Sequence, residues 1–283
     1  MIDLHLHTNM SDGLDTPDEL VSAVESFGCT AFSVTDHDDI RANSIITALL
    51  STNGCTARFI TGVEISSVFD NMNLHLLCHG FNYEADAMKT MVNRISKLRR
   101  ERVTAIFDHL RTKHKVLIPE EEKEIILNRK TPGKVHIADA AMRIGHPMSR
   151  QEFFDNCLND MESREFKLNA IDVIDAANAA GGVVSLAHPI EVQKKYSLDF
   201  NDLSKMVKRL RDVGLTGIEV YNSVHGRVEI SEYKKIAAQY DLLITGGSDY
   251  HGGNKDVTIG QLSNYGFVPE EKDLTLYDLF AES

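Results

Sequence analysis

The chain has 283 residues, of which 42% are hydrophobic and 25% charged, as is typical of a globular protein with a sizeable core. Its net charge of −12 argues against a generally basic nucleic-acid-binding surface, and no apolar run is long enough to span a membrane. The four cysteines are scattered without a C-x-x-C pair, which argues against disulfides and a cysteine zinc site. Because the N-terminus begins in a strand pattern rather than a signal region, we expect a cytoplasmic protein.

The first predicted element lies in IDLHLHTNMSDG and is a buried strand that runs into a loop. Strand side chains alternate, so His5 and His7 point to one face while Leu4 and Leu6 face a core. Two imidazoles followed after a short turn by Asp12 form half of a metal site. A lone H-x-H can equally be a pair of hydrogen-bonded core histidines, so the later residues must decide.

Strands and helices alternate as far as about residue 83. The predicted elements are a helix that begins at Pro17 and ends at Gly28, strand Thr30–Thr35, helix Ala42–Leu50, strand Arg58–Val63 and strand Asn73–Cys78. His37 follows the second strand, Glu64 ends the third, and His75 lies in the fourth. Each of these strands therefore carries or precedes a residue of a type that binds metals.

The alternation then stops, and residues 84–166 are predicted to be nearly all helical. The helices are expected over Met88–His114, Glu120–Arg129, Val135–Ile144 and Arg150–Leu158. Between Arg94 and His136 there are twelve Lys and Arg residues and six acids, so this stretch carries +6 and the rest of the chain −18. We expect residues 1–83 and 167–283 to form one domain, with 84–166 as an inserted, basic, substrate-capping subdomain. Such a charge distribution suggests an anionic substrate.

The alternation resumes near residue 169. A helix ending at Gly181-Gly182 is followed by strand Val183–Ala187, helix Asn201–Val213, strand Gly217–Tyr221, helix Val228–Tyr240 and strand Leu242–Thr245. His188 follows the first of these strands, and Asp249 and His251 follow the last. Seven short strands alternating with helices favour a parallel sheet. A distorted seven-stranded α/β barrel fits better than an open sheet, because a barrel brings its strand ends together at one mouth.

Nine candidate metal ligands lie at or just beyond strand ends. They are His5, His7, Asp12, His37, Glu64, His75, His188, Asp249 and His251. Nine nitrogen and oxygen donors without a thiolate are too many for one tetrahedral ion. They suit two or three divalent ions such as Zn, Mn or Fe, with Glu64 as the bridging carboxylate.

An ordered set of motifs closely resembles the PHP (polymerase and histidinol phosphatase) phosphoesterases. The motifs are DLHLHTNMSDG, SVTDHD, TGVEIS, NLHLLCHGF, SLAHP and GGSDYH. The resemblance implies a distorted, TIM-like seven-stranded barrel with up to three ions at its mouth. It assigns one ion to His5, His7, Glu64 and Asp249, a second to Glu64, His75 and His188, and a third to Asp12, His37 and His251.

Within that family, a helical insertion after the fourth strand resembles the branch of 3′,5′-nucleoside bisphosphate phosphatases and 5′-to-3′ exoribonucleases. That branch typically carries Arg-x-His in the insertion, and here Lys134 and His136 occupy the matching positions. Lysine lacks the bidentate fork of arginine, so the recognition of phosphate is expected to differ. Arg99 and Arg102 lie on one helical face and could grip a phosphate, although a solvated charged helix is the alternative. His225 is a candidate proton donor, and a solvated loop histidine is the alternative.

We therefore expect a metal-dependent phosphoesterase in which a metal-bound hydroxide attacks phosphorus and inorganic phosphate is released. The expected substrate is a 3′,5′-bisphosphorylated nucleoside, an AMP-like nucleotide or a short 5′-phosphorylated RNA, with no membrane and no obligate protein partner. One alternative is a histidinol-phosphate phosphatase or another small phosphomonoesterase. An alternative of another class is a non-catalytic nucleic-acid-binding or accessory module, for which missing ligands would be the sign.

Overall fold

The structure is a computed structural model that describes residues 1–281 and divides into two compact units. The barrel unit comprises Met1–Val92 and the segment that begins at Leu168, and the helical unit comprises Asn93–Lys167. The elements before the helical unit are β1 (Ile2–Leu6), α1 (Pro17–Ser26), β2 (Ala31–Val34), α2 (Arg41–Asn53), β3 (Arg58–Phe69) and β4 (Met72–His79). Helix α3 (Asp86–His109) begins in the barrel unit and continues into the helical unit.

The remaining elements follow in chain order. In the helical unit they are a π-helical turn (Leu110–His114), α4 (Glu120–Leu127), α5 (Lys134–Arg143), α6 (Arg150–Phe153), a second π-helical turn (Phe154–Leu158) and a 3₁₀ turn (Arg164–Phe166). In the barrel unit they are β5 (Leu168–Asn169), α7 (Ala170–Ala179), β6 (Val183–Leu186), α8 (Pro189–Tyr196), α9 (Phe200–Asp212), β7 (Gly217–Asn222), α10 (Arg227–Tyr240), β8 (Leu243–Gly247), a 3₁₀ turn (Glu271–Asp273) and α11 (Thr275–Ala281). Helices α8 and α11 were not predicted.

The strands of the barrel unit form a nearly closed sheet, which confirms the predicted fold class. Over residues 1–281 the sheet has the order β1-β2-β3-β4-β6-β7-β8, and the short β5 pairs with β3 beside this path. The chain just after β8 returns to β1, where the Asp249 N–H donates to His5 O and the His7 N–H to Tyr250 O, both at 2.9 Å. These bonds bring the loop after the last strand against the first strand.

One strand runs against the predicted direction. Strand β4 is antiparallel to both β3 and β6, so the expectation of a wholly parallel sheet was wrong. Strand β3 also continues past Val63 to Phe69, and only Asp70 and Asn71 separate it from β4. Both loop residues have positive φ, 49° and 60°, as a two-residue hairpin turn requires. Glu64 therefore lies inside a long strand and not at its end.

The helical unit has a hydrophobic core of its own. Val103, Ile106, Ile137, Phe153 and Leu158 are among its fully buried side chains. A 75-residue segment that buries such a cluster can hold its helices together without sharing a core with the barrel. Among the described helices, including the 24-residue α3, none is long and apolar enough to cross a membrane.

Candidate metal centre

The barrel unit brings all nine candidate ligands into one cluster, which we call the donor cluster. The donor atoms form three overlapping groups, and within each group the atoms lie no more than 4.8 Å apart. The groups are His5, His7, Glu64 and Asp249; His7, Asp12, His37 and His251; and His37, Glu64 and His75. The ninth candidate, His188, directs Nε2 to Glu64 Oε1 at 2.8 Å. Residues far apart in sequence therefore meet because each follows or lies in a neighbouring strand.

Glu64 lies at the middle of the cluster, with both carboxylate oxygens facing imidazole nitrogens. Oε2 lies 3.1 Å from His5 Nε2, 3.2 Å from His7 Nε2 and 3.2 Å from His37 Nδ1. Oε1 lies 2.8 Å from both His75 Nδ1 and His188 Nε2. A carboxylate with ligand-type nitrogens around each oxygen has the arrangement of a bridge between two ions.

Two further carboxylates complete the cluster. Asp249 Oδ1 lies 3.2 Å from His7 Nε2 and 3.5 Å from His5 Nε2. Asp12 Oδ1 lies 3.3 Å from His251 Nε2, and its Oδ2 lies 3.8 Å from His37 Nε2. Asp12 is the more exposed of the two, with 38% of its side chain accessible against 9% for Asp249. Solvent therefore reaches the cluster from the side of Asp12.

The unsatisfied nitrogens of the cluster fit metal ions better than hydrogen bonds. Within the described chain, six ring nitrogens of these residues are buried without a hydrogen-bond partner: His7 Nδ1, His7 Nε2, His37 Nδ1, His75 Nδ1, His188 Nδ1 and His251 Nε2. Four of them nevertheless lie 2.8–3.3 Å from an oxygen of Glu64 or Asp12, and His188 Nδ1 lies 3.3 Å from the Glu191 carboxylate. Ligand atoms that bind one ion at 2.0–2.2 Å in a tetrahedron lie about 3.4 Å apart. The observed distances between donor atoms are thus close to those expected between ligands of one ion.

Burial and opposite charges shift the pKa values of the cluster strongly. Burial opposes ionisation of Glu64, but His37 and His5 outweigh it and hold its pKa well below the usual value. Burial likewise opposes protonation of His188, but the hydrogen bond to Glu64 and the charge of Glu191 raise its pKa to about 9. Without metal, protons on His5 and His188, whose pKa values are both raised, therefore compensate the buried carboxylates, and divalent ions can take the same role.

Two of the nine residues have strained backbones. His188 has φ 23° and ψ 65°, and Asp249 has φ 59°, conformations that non-glycine residues rarely adopt. Packing is also close just before the second: a Cβ at Gly247 would lie 2.2 Å from the Cβ of His5, so the end of β8 needs glycine to pass beside β1. Strain of this kind persists where the surrounding structure fixes a functional geometry.

Glu219 is a site residue that the sequence analysis missed. It lies in β7, is fully buried, and accepts from His5 Nδ1 at 2.8 Å and from the His188 backbone N–H at 2.6 Å. None of the nine candidate ligands of the sequence analysis lies on β7. The available signal was a carboxylate inside the strand sequence GIEVYN, since a fully buried glutamate needs partners.

Two other charged residues support the cluster. Buried Asp36 accepts from the backbone N–H of Thr8 at 2.8 Å and from the hydroxyls of Thr8 and Ser11, both at 2.6 Å, so it fixes the loop after β1. Burial raises the pKa of Asp36 to about 6. Lys255 places its ammonium 2.6 Å from Asp249 Oδ2. A positive charge therefore lies beside the donor cluster, and nothing in the sequence pattern indicates it.

His225, the candidate proton donor, is not a solvated loop residue. It is fully buried, and its Nδ1 donates to Val220 O at 2.9 Å. Burial lowers its pKa to about 4. While the ring is neutral, its proton is held on Nδ1, and Nε2 has no proton to donate.

The helical unit holds the four substrate-binding candidates. An added Cβ at Gly133, the residue before α5, would lie 3.7 Å from Arg99 Nη1 and 3.9 Å from Arg102 Nη2. The Gly133 N–H donates to His136 Nδ1 at 3.1 Å, so the neutral ring carries its proton on Nε2. Burial and the charges of nearby arginines lower the pKa of His136 to about 4. We call Arg99, Arg102, Gly133 and His136 the anion cradle; the Lys134 ammonium donates instead to Asn159 Oδ1 at 3.2 Å.

Another group of donors lies in the helical unit. His109 Nε2 and His114 Nε2 lie 2.7 Å and 2.9 Å from the carboxylate of Asp160. The Lys113 ammonium lies 2.8 Å from the same carboxylate. Because lysine already supplies a positive charge there, this group is accounted for as an ion-pair cluster that ties the end of α3 to the loop at Asp160.

Comparisons with known proteins agree with this geometry. A family model described as the PHP domain matches residues 3–128. The chain is 27% identical over 255 residues to a 5′-3′ exoribonuclease of Haemophilus influenzae, covering 88% of this chain and 89% of the relative. It is also 27% identical over 281 residues to a phosphoribosyl 1,2-cyclic phosphate 1,2-diphosphodiesterase of Eggerthella lenta, covering 94% and 97%.

A solved structure gives the same result for the fold. A protein of Bifidobacterium adolescentis, assigned as a metal-dependent phosphoesterase, superposes with a TM-score of 0.78 at 25% identity. The match covers 96% of this chain and 93% of the other. The likeness thus extends through the barrel unit and the helical unit of the chain.

Proposed function

Because the chain belongs to the PHP family of metal-dependent phosphoesterases, we propose that it hydrolyses a phosphate ester of a nucleotide or of a short 5′-phosphorylated RNA, with its ions held by the donor cluster. The observation that carries the proposal is the set of four buried ring nitrogens that lie within 3.3 Å of Glu64 or Asp12 without forming a hydrogen bond: His7 Nε2, His37 Nδ1, His75 Nδ1 and His251 Nε2. Buried polar atoms are normally satisfied, so this many unsatisfied nitrogens call for ligands.

The nine residues of the cluster would hold two or three ions, with Glu64 shared between two of them. Divalent ions bound in this way polarise a phosphoryl oxygen and lower the pKa of a bound water. The chain's own contribution is to fix the donors: Asp36 holds the loop after β1, and Glu219 holds His5. The Lys255 ammonium adds positive charge beside Asp249, where charge on a bound phosphate would be stabilised.

The choice of a nucleotide substrate is supported by the anion cradle. Two guanidinium groups, the Nε2–H of His136 and the N-terminus of the 10-residue α5 offer donors for a phosphate. We propose that this cradle binds a phosphate of the substrate that is not being cleaved. The similarity to an exoribonuclease gives independent support for RNA as the substrate. The name of the cyclic phosphodiesterase relative indicates a different phosphate ester, which must be tested too.

The test is a comparison of kcat/KM across substrates with Mn(II) present. The panel contains a 3′,5′-bisphosphorylated nucleoside, AMP, short 5′-phosphorylated RNA, phosphoribosyl 1,2-cyclic phosphate, histidinol phosphate and a generic aryl phosphate. We expect the nucleotide substrates to exceed the other esters. If histidinol phosphate or the cyclic phosphate is the best substrate, the proposed substrate class is wrong.

Variants of the cradle sharpen this test. A charge-assisted hydrogen bond to phosphate is worth roughly 1.5–3 kcal/mol, or about 10- to 150-fold in kcat/KM. We expect Arg102→Ala to lose that factor on the bisphosphorylated nucleotide and to leave the aryl phosphate nearly unchanged. Lys134→Ala should lose less, because its ammonium already bonds Asn159, and Lys134→Arg should keep or improve the nucleotide reaction.

The matched control is Lys97→Ala, which removes a positive charge from an exposed position of the same helix α3. It should leave both reactions unchanged. If Arg102→Ala lowers kcat/KM equally on both substrates, or if Lys97→Ala has the same effect as Arg102→Ala, the cradle does not recognise a phosphate.

A further inference from the structure

Glu219 contacts two residues of the donor cluster from a strand that contributes none of the nine candidate ligands. Its Oε1 accepts from His5 Nδ1 at 2.8 Å, and its Oε2 accepts from the His188 backbone N–H at 2.6 Å. His5 comes from β1, His188 follows β6, and Glu219 lies in β7. All of its contacts are inside the barrel unit, and no water-accessible surface remains on the residue.

The first contact sets which nitrogen of His5 faces the ions. A carboxylate oxygen can only accept, so Nδ1 must carry a proton. The opposite nitrogen, Nε2, then lies 3.1 Å from Glu64 Oε2 and 3.5 Å from Asp249 Oδ1. Once Nε2 has lost its own proton, its lone pair is available to bind a metal ion. Metal-binding histidines are commonly oriented and made more basic in this way by a carboxylate on the other ring nitrogen.

The second contact holds the backbone that presents His188. This residue has φ 23°, outside the regions that non-glycine residues populate readily. A short hydrogen bond from its own N–H to a buried carboxylate opposes relaxation of that strain. His188 Nε2 is thereby kept 2.8 Å from Glu64 Oε1.

We propose that Glu219 is a positioning residue that couples two parts of the metal centre, holding His5 in its ligating tautomer and His188 in its strained turn at the same time. The inference rests on the proposed function, because it assumes that the donor cluster binds metal. It requires a carboxylate specifically. Two donors face its two oxygens, and a glutamine has one acceptor oxygen and an NH₂ group that would face the second donor.

The experiment measures metal affinity directly, by competition with a chelator for Mn(II) at pH 7.5, on the full chain. We expect Glu219→Gln to weaken binding by about 10- to 100-fold, the usual cost of losing such a partner, and to regain the wild-type number of ions when metal is in excess. The matched control is Glu229→Gln, ten residues further along, where an amide oxygen can still accept from the Gly226 N–H. It should bind metal as the wild type does.

Wild-type affinity in Glu219→Gln, with or without a lower unfolding midpoint of the metal-free protein, would overturn the proposal and reduce Glu219 to a structural role. A wild-type chain that binds one ion or none contradicts the proposed function instead, so the two failures are distinguishable.

A second measurement uses the wild type alone, so it does not depend on whether Glu219→Gln folds. Nitrogen-15 spectra of the metal-loaded wild type, with His5 assigned, should show the proton of its ring on Nδ1. A proton on Nε2 would contradict the proposal.

Discussion

The donor cluster and the anion cradle both gather charged or ionisable side chains, but they differ in burial. His5, His7 and Glu64 of the cluster are fully buried, whereas Arg99, Arg102 and His136 of the cradle are half-buried. In the cluster, charges removed from water must be compensated by protons or ions, because an unpaired buried charge is very costly. In the cradle, water shares that task. We therefore expect a substitution in the cluster to have a large effect, in which metal and activity are lost together. A substitution in the cradle should have a moderate effect of its own.

The largest effect should come from Glu64→Gln. Five imidazole nitrogens face the two oxygens of this carboxylate, and an amide offers only one oxygen and no charge. We expect metal and activity to be lost together, with turnover down by more than the roughly 10–100-fold that loss of a supporting partner costs. The measurements are metal content after purification and kcat with Mn(II).

An exposed carboxylate beside the same cluster provides the control. Glu191 lies 3.3 Å from His188 Nδ1, but 56% of its side chain is exposed. Because exposed ion pairs contribute only about 0–1 kcal/mol, Glu191→Gln should change turnover by less than about 5-fold. Wild-type turnover and metal content in Glu64→Gln would show that this carboxylate is not a bridge.

Metal binding to the cluster should release protons. The pKa of His188 is raised to about 9, so its ring is protonated at pH 7.5 in the metal-free chain and must lose a proton to bind an ion through Nε2. Affinity should therefore rise with pH between about 6.5 and 9, by about tenfold per pH unit for each proton released. Titrations with Mn(II) at pH 6.5, 7.5 and 8.5 measure the slope, and His188→Gln should reduce it. An affinity that does not change with pH would contradict this description of the cluster.

The cradle should also lose its contribution as the pH falls, but through protein stability and not through metal affinity. The folded-state pKa of His136 is lowered to about 4, below its usual value near 6.5. Its contribution to stability is therefore complete above pH 6.5 and is lost as the pH falls toward 4. Relative to His136→Gln, the wild type should lose about 1–3 kcal/mol of unfolding free energy over that interval. Urea unfolding of both proteins at pH 7, 5.5 and 4 gives the difference. Parallel pH profiles for the two proteins would show that His136 is not held neutral.

Position along the chain explains which site residues the sequence could predict. The ligand candidates of the cluster could be found because His5, His37, His188 and Asp249 lie at or just after strand ends, where type and spacing alone indicate metal chemistry. Glu219 was missed: a carboxylate inside a strand indicates only that partners exist, and these partners lie 31 and 214 positions away in the chain. Only the closed sheet brings those partners to it.

The direction of β4 was mispredicted for a local reason. The sequence between Phe69 and Met72 consists of Asp70 and Asn71, two residues that tolerate positive φ and form a tight hairpin turn. Parallel strands need a crossover connection of about a dozen residues or more, so a two-residue turn permits only an antiparallel pair. Recognising the turn would have predicted the antiparallel pair and extended β3 beyond Glu64.

The metal content of the full-length wild type tests the central claim most directly. Nine donor residues converge on one cluster in which Glu64 faces imidazoles through both oxygens. Elemental analysis of protein purified without chelator and reconstituted with Mn(II) should give two to three transition-metal equivalents per chain. One equivalent or fewer after reconstitution would contradict the multinuclear centre on which the account depends.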